Sequence, residues 1–189
     1  MHKLTVILFV LITNLFFGQE SKSIEDKILY EKGQAIIALL HEDYYFYENL
    51  NSTNLERKKV TQETYNFIIS QALVYFNDLI TNYPESNYYV LALYEKAHFE
   101  HQLDNVKVAK EIFLKILNLD NNKVKFTIND SLMALAAIAI EDEEYELALK
   151  YLDRRKNNGL FYFCGNERET TEIRMNNMYN KCNEALKIK

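Results

Sequence analysis

The sequence predicts an all-α fold, about three helix pairs stacked side by side and closed by a further C-terminal helix. Chain breakers are scarce: 189 residues hold one proline, Pro84, and four glycines. Helix formers dominate, and apolar residues recur at three- and four-residue spacing. One spacing also repeats. Ala72, Phe76, Leu79 and Pro84 align with Ala109, Phe113, Ile116 and Asn121, and both align with Ala148, Leu152 and Arg155. The three alanines are 37 and 39 residues apart. A small alanine lets two helices approach, and the large residue four positions on fills the groove beside it. A single pair cannot bury both faces, so pairs stack and the last needs a cap.

The first element is a leader. Lys3 precedes an apolar run from Leu4 to Phe17, followed by Gly18 and polar residues. That layout predicts a signal peptide over residues 1–18, cleaved after Gly18. The run falls short of the roughly 20 residues of a membrane span, so no stable span is expected after cleavage. No cysteine follows it to carry a lipid. The remainder, 19–189, is long enough for one helical repeat domain. Its first helix is expected from about Ser23 to Glu48, broken by Asn51-Ser52-Thr53. Thr53 with Glu56 has capping-box spacing, so a second helix is expected from there to about Asn82, stopping at Tyr83-Pro84. Further helices are expected at 87–102, 105–119, 129–142, 144–156 and 167–187. Short connections make sequential helices antiparallel neighbours.

The stretch NNGLFYFCGNER, 157–168, gathers two of the four glycines and one of the two cysteines. Gly159 suits a left-handed residue ending a helix. Asn166 with Glu169 has the spacing of an N-cap and a first-turn acid. Between them, Leu160 to Cys164 is expected to run extended as an apolar plug that docks the terminal helix. A Cys164–Cys182 disulfide is disfavoured by length. A helix starting near 167 carries Cys182 about 22 Å along, three extended residues span about 10 Å, and the Cα atoms must come within about 7 Å.

Charge narrows the partner. The formal net charge is −5. Removing Lys3 with the leader takes Lys+Arg from 22 to 21 against 27 acids, giving −6. That balance argues against nucleic acid, whose binders carry clustered positive charge. Arg57-Lys58-Lys59 and Arg154-Arg155-Lys156 are short, and read as solvated helix faces or cations near helix ends. No glycine-rich strand-to-helix turn suggests a nucleotide-binding fold.

With these patterns the chain resembles the tetratricopeptide-repeat (TPR) family, most closely over Phe76 to Leu117 and again over Ser131 to Leu152. In the latter, Leu132, Leu135 and Ala136 match the first-helix pattern, and Tyr145 and Ala148 the second. Together the matches cover roughly 53–155. The likeness is to exported bacterial envelope proteins of the family, including outer-membrane assembly lipoproteins. The repeats are longer than 34 residues. Glu56, Lys59 and Val60 depart from the bulky, bulky and small residues the family prefers. The resemblance implies a concave groove lined by the first helix of each pair. By position that gives Arg57, Thr61, Thr64 and Tyr65, then Leu91, Tyr94, His98 and His101, then Asp130, Met133, Ala137 and Ile140. Its mixed aromatic and apolar chemistry suits an extended or helical apolar segment better than a highly charged one.

Other constellations carry less. Glu95, His98, His101 and Asp104 recur every three residues, a stripe of metal-capable types, but that spacing drifts around a helix. No pattern sets Cys164 or Cys182 beside His41, His98 or His101. Tyr44-Tyr45-Phe46-Tyr47 is aromatic enough for a core edge or a partner patch. The expected function is therefore an exported, non-enzymatic protein–protein interaction module without metal or cofactor, in a bacterial periplasm or envelope. Its partner would be an envelope component or a toxin. One alternative is a periplasmic immunity protein, acidic enough to steer a basic toxin. Another is a metal-dependent enzyme using the histidine stripe.

Overall fold

A computed structural model of the chain describes residues 24–40, 61–119, 125–159 and 165–188. Seven helices and no strand occur among them: α1 (24–40), α2 (Gln62–Asn82), α3 (Tyr89–Gln102), α4 (Val106–Leu117), α5 (Lys125–Glu141), α6 (Tyr145–Asn157) and α7 (Gly165–Ile188). The all-α class is as predicted. No described helix is long and apolar enough to cross a membrane. The expected signal peptide, the Tyr44–Tyr47 cluster, the Thr53/Glu56 pair, Arg57 and the expected plug over Leu160–Cys164 lie outside the described residues.

Local chemistry sets the ends. Tyr83 caps α2, donating its amide to the Leu79 carbonyl at 2.9 Å, just before Pro84. The start of α2 differs from expectation. Thr61 is the N-cap, extended at φ −68° and ψ 153°, and its hydroxyl accepts from the Thr64 amide at 3.2 Å. A threonine oxygen in that geometry satisfies an amide the helix leaves orphaned. The entry to α7 also differs, because the helix begins at Gly165 and holds Asn166 inside it. Gly159 behaves as read, with φ 84° two residues past the end of α6.

Contacts divide the chain into two compact units, residues 1–92 and 93–189, with the division inside α3. In the first, α2 buries Ile69, Ala72, Leu73, Phe76 and Leu79. Tyr30 of α1 stacks on Tyr88 (centroids 5.1 Å apart) and tilts against Phe76 at 5.9 Å. Gly33 lets α1 close on α2: a Cβ there would stand 2.6 Å from Phe76 Cζ. Tyr83 donates its hydroxyl hydrogen to Glu25 at 2.6 Å, tying α1 to the end of α2.

In the second unit the core shows how the helices run. Met133 and Ala136 of α5 pack with Leu152 of α6 and Met175 of α7. Further along α5, Ala139 and Ile140 pack with Ala148 and Cys182. Moving up α5 therefore means moving down α6 and up α7. α5 and α6 are antiparallel, and α5 and α7 are parallel neighbours. α4 adjoins α5 and buries Ala109, Phe113, Ile116 and Leu117. All nine aligned repeat residues, Ala72/Phe76/Leu79, Ala109/Phe113/Ile116 and Ala148/Leu152/Arg155, are buried.

The repeat extends to the turns. Asp104 and Glu143, 39 residues apart like Ala109 and Ala148, hold left-handed backbones at φ 65° and 60°. Asn105 N–H donates to Glu100 O at 2.8 Å, and Glu144 N–H to Ala139 O at 2.7 Å. One residue earlier, Asp104 N–H reaches His101 O and Glu143 N–H reaches Ile140 O. Each pair is a Schellman closure, which satisfies carbonyls at the helix end but favours glycine at the left-handed position. Replacing Asp104 or Glu143 with Gly is expected to raise stability by about 0.5–1 kcal/mol each, relief of left-handed strain outweighing the looser unfolded chain. Urea unfolding checks it: the midpoint should rise with an unchanged slope.

Candidate functional site

Tyr94 and His98 lie one turn apart on α3, with rings in edge contact at 4.5 Å. The Tyr94 hydroxyl donates to Asp130 Oδ2 on α5. His98 Nε2 is 3.5 Å from the same oxygen, within ion-pair reach but without hydrogen-bond alignment. The back of the His98 ring meets Phe113 edge-on at 5.1 Å, and Phe126 flanks Tyr94 at 6.4 Å. The result is a half-buried polar knot joining α3 and α5.

The electrostatics follow. Burial, reinforced by the Asp130 charge and hydrogen bond, pushes the Tyr94 phenol well above its ordinary range. Burial would raise the Asp130 carboxyl, but His98 and Tyr94, helped by the Arg174 charge, hold it below the usual value. A depressed carboxyl stabilises the fold above the unfolded pKa of about 3.9. That contribution should be lost as pH falls through the lower folded value. Asp130→Asn should melt earlier than wild type at neutral pH, and the gap should close at the acid end. Melting temperatures of both proteins across pH check it; a gap that widens in acid refutes it.

Beside the knot, α5 and α7 leave an open groove of about 460 Å³. Ala137, Ile140 and Glu141 form one wall, and Thr170, Ile173, Arg174, Asn177, Met178 and Lys181 the other. The α7 residues recur at three- and four-residue steps, one continuous stripe of a helix. Ile173 is 53% exposed despite its apolar side chain. Among the described residues no carboxylate lies within ion-pair distance of Arg174 or Lys181.

The expected groove residues fall into several settings. Thr61 caps α2, and Thr64 is exposed in its first turn. Tyr65 and Leu91 are half-buried in the first unit. Tyr94 and His98 meet Asp130, while half-buried His101 supplies the carbonyl that closes the α3–α4 turn. Half-buried Ala137 lines the α5–α7 groove, and Ile140 borders it from the core, 7% exposed and packed with Ala148 and Cys182. Met133 is core, 1% exposed under Met175, and offers no surface. The sequence reading missed the α7 wall, although its spacing was visible once α7 was treated as a lining helix and not only as a cap.

No three His, Cys, Asp or Glu side chains among the described residues converge as metal ligands. Asp104 sits in the turn, and His98 turns toward Asp130. Cys182 is a free thiol, fully buried among Ala139, Ile140 and Ala148, and burial pushes its pKa up. Cys164 lies outside the described residues. Comparisons with protein-family models, curated proteins and solved structures return no match.

Proposed function

We propose that the chain is a TPR-like solenoid acting as an exported, non-enzymatic interaction module. It holds a segment of a partner protein along the face formed by Tyr94, His98 and Asp130 and by the α5–α7 groove. The observation that carries this reading is the groove itself, with Ile173 open to solvent and half-buried Ala137 and Met178 beside it. A concave groove with apolar lining and a few polar groups on its rim is the ordinary form of a binding site, which a lone exposed apolar side chain is not. Congruent turns at Asp104 and Glu143, and the parallel run of α5 and α7, favour a repeat stack over an irregular bundle.

The test is affinity capture from the envelope extract of the source cells, using wild type and Ile173→Glu side by side. Ile173 is exposed enough for the charge to leave folding intact, which circular dichroism verifies. A stoichiometric protein retained by wild type and lost by Ile173→Glu is the expected result. A partner held equally by both moves the contact surface elsewhere. No partner across salt and detergent conditions would count against the interaction role.

A further inference from the structure

We infer that the α5–α7 groove takes an amphipathic helix whose apolar stripe is edged with acidic residues on the side facing α7. The inference rests on the groove being the contact surface, as proposed above, and adds the chemistry of its occupant. Three features of the groove lead to it.

The first is charge. The protein carries net negative charge, yet the α7 rim of this groove presents Arg174 and Lys181 with no acid in ion-pair reach among the described residues. Asp130 feels the Arg174 charge without meeting it in a salt bridge. Glu141 stands on the opposite wall. The groove is therefore polarised across its width, cationic along α7 and acidic at α5. A complementary occupant carries acids along one edge and tolerates a base at the other, which fixes its orientation as well as its sign.

The second is backbone satisfaction. Every described element is helical, so no strand edge is offered to an extended peptide. The lining supplies two neutral hydrogen-bonding side chains, Thr170 and Asn177, among mostly apolar or charged ones. An extended segment laid there would desolvate many amides and carbonyls with almost nothing to pair them. A helix brings its backbone already paired and needs only side-chain complementarity.

The third is length. Thr170 to Lys181 spans about 16 Å at 1.5 Å per residue, three turns of an occupant lying alongside. Ala137 on the α5 wall is small, which allows close approach, and Ile173 and Met178 supply apolar contact.

The experiment uses fluorescein-labelled helical peptides of about 15 residues, each with leucines on one stripe. One has glutamates along one edge of the stripe, a twin has lysines there, and a third repeats the glutamate peptide with central prolines. Fluorescence anisotropy measures each against the signal-cleaved protein. The glutamate peptide should bind about tenfold or more tighter than its lysine twin, and added salt should narrow the difference. In Arg174→Gln/Lys181→Gln the preference should collapse, while the protein's melting temperature stays near wild type. Equal affinity for the twins, a preference unchanged in the double variant, or tighter binding of the proline peptide overturns the inference. So does dodecanoate displacing the glutamate peptide at lower concentration than an unlabelled copy does. If no peptide binds while the envelope partner is still lost on Ile173→Glu, the occupant chemistry is wrong and the contact surface stands. If Ile173→Glu keeps the partner, the surface itself is wrong.

Discussion

Phe113→Ala is expected to lower the stability of the protein by about 3–5 kcal/mol. Phe113 is fully buried on α4 and fills the large-residue position of its repeat, between Ala109 and Ile116. Truncation removes the transfer energy of the ring and leaves a cavity that close-packed helices cannot readily collapse. The loss reaches the candidate site, because the ring supports the edge of His98, which lies against Asp130. Phe113→Leu keeps most of the volume and should cost clearly less. Phe67→Ala supplies the contrast: that ring is 62% exposed on α2, and its loss should change stability by no more than about 0.5 kcal/mol. Urea unfolding of the three variants measures all of this. A Phe113→Ala cost below about 1 kcal/mol would mean that the repeat alignment does not mark the core.

That alignment was the most legible part of the sequence, and its physics explains why. Alanine and a large residue four apart leave a mark whenever a helix must nestle against another, and nothing solvated competes to produce the same spacing. Gly159 was legible for a similar reason, since a left-handed helix end has few substitutes. The start of α2 was harder to read. Thr53 with Glu56 and Thr61 with Thr64 both carry side chains able to cap, and sequence spacing does not say where the chain turns. The first of these lies outside the described residues, and the second is the N-cap. α5 concealed its lining face for another reason. It is covered by α4, α6 and α7, so apolar residues occur all round it and periodicity loses contrast. Met133 and Ala137 look equivalent on such a helix. Only the position of Met175 separates them, burying the first and leaving the second at the groove. The α7 wall mixes threonine, isoleucine, arginine, asparagine and lysine, which reads as ordinary solvated helix until α5 lies beside it.

Arg155→Leu is expected to raise stability, by an amount on the order of the 1–4 kcal/mol reached when well-packed apolar residues replace buried ion pairs. Arg155 occupies the third position of the repeat, where the other units have Leu79 and Ile116. It is 4% exposed. Its Nη1 donates to the Met175 sulfur at 3.3 Å, and its Nε has no partner. A thioether is a weak acceptor for a guanidinium that has given up water, so the desolvation cost is poorly offset. The neighbouring Arg154 behaves differently. It is exposed and donates to the Leu117 carbonyl at 3.2 Å, a cation closing the C-terminal end of α4. Leucine at 155 restores the residue class of the other two repeats and packs its methyls against Met175 and Leu152. Arg155→Ala separates the contributions, since it removes the same charge but leaves a void where the side-chain stem packed. Arg155→Leu should melt above wild type, and Arg155→Ala below Arg155→Leu. If Arg155→Leu instead melts below wild type, the guanidinium is holding α6 and α7 together, and the repeat's third position has been recruited as a polar clamp for the helix that walls the groove.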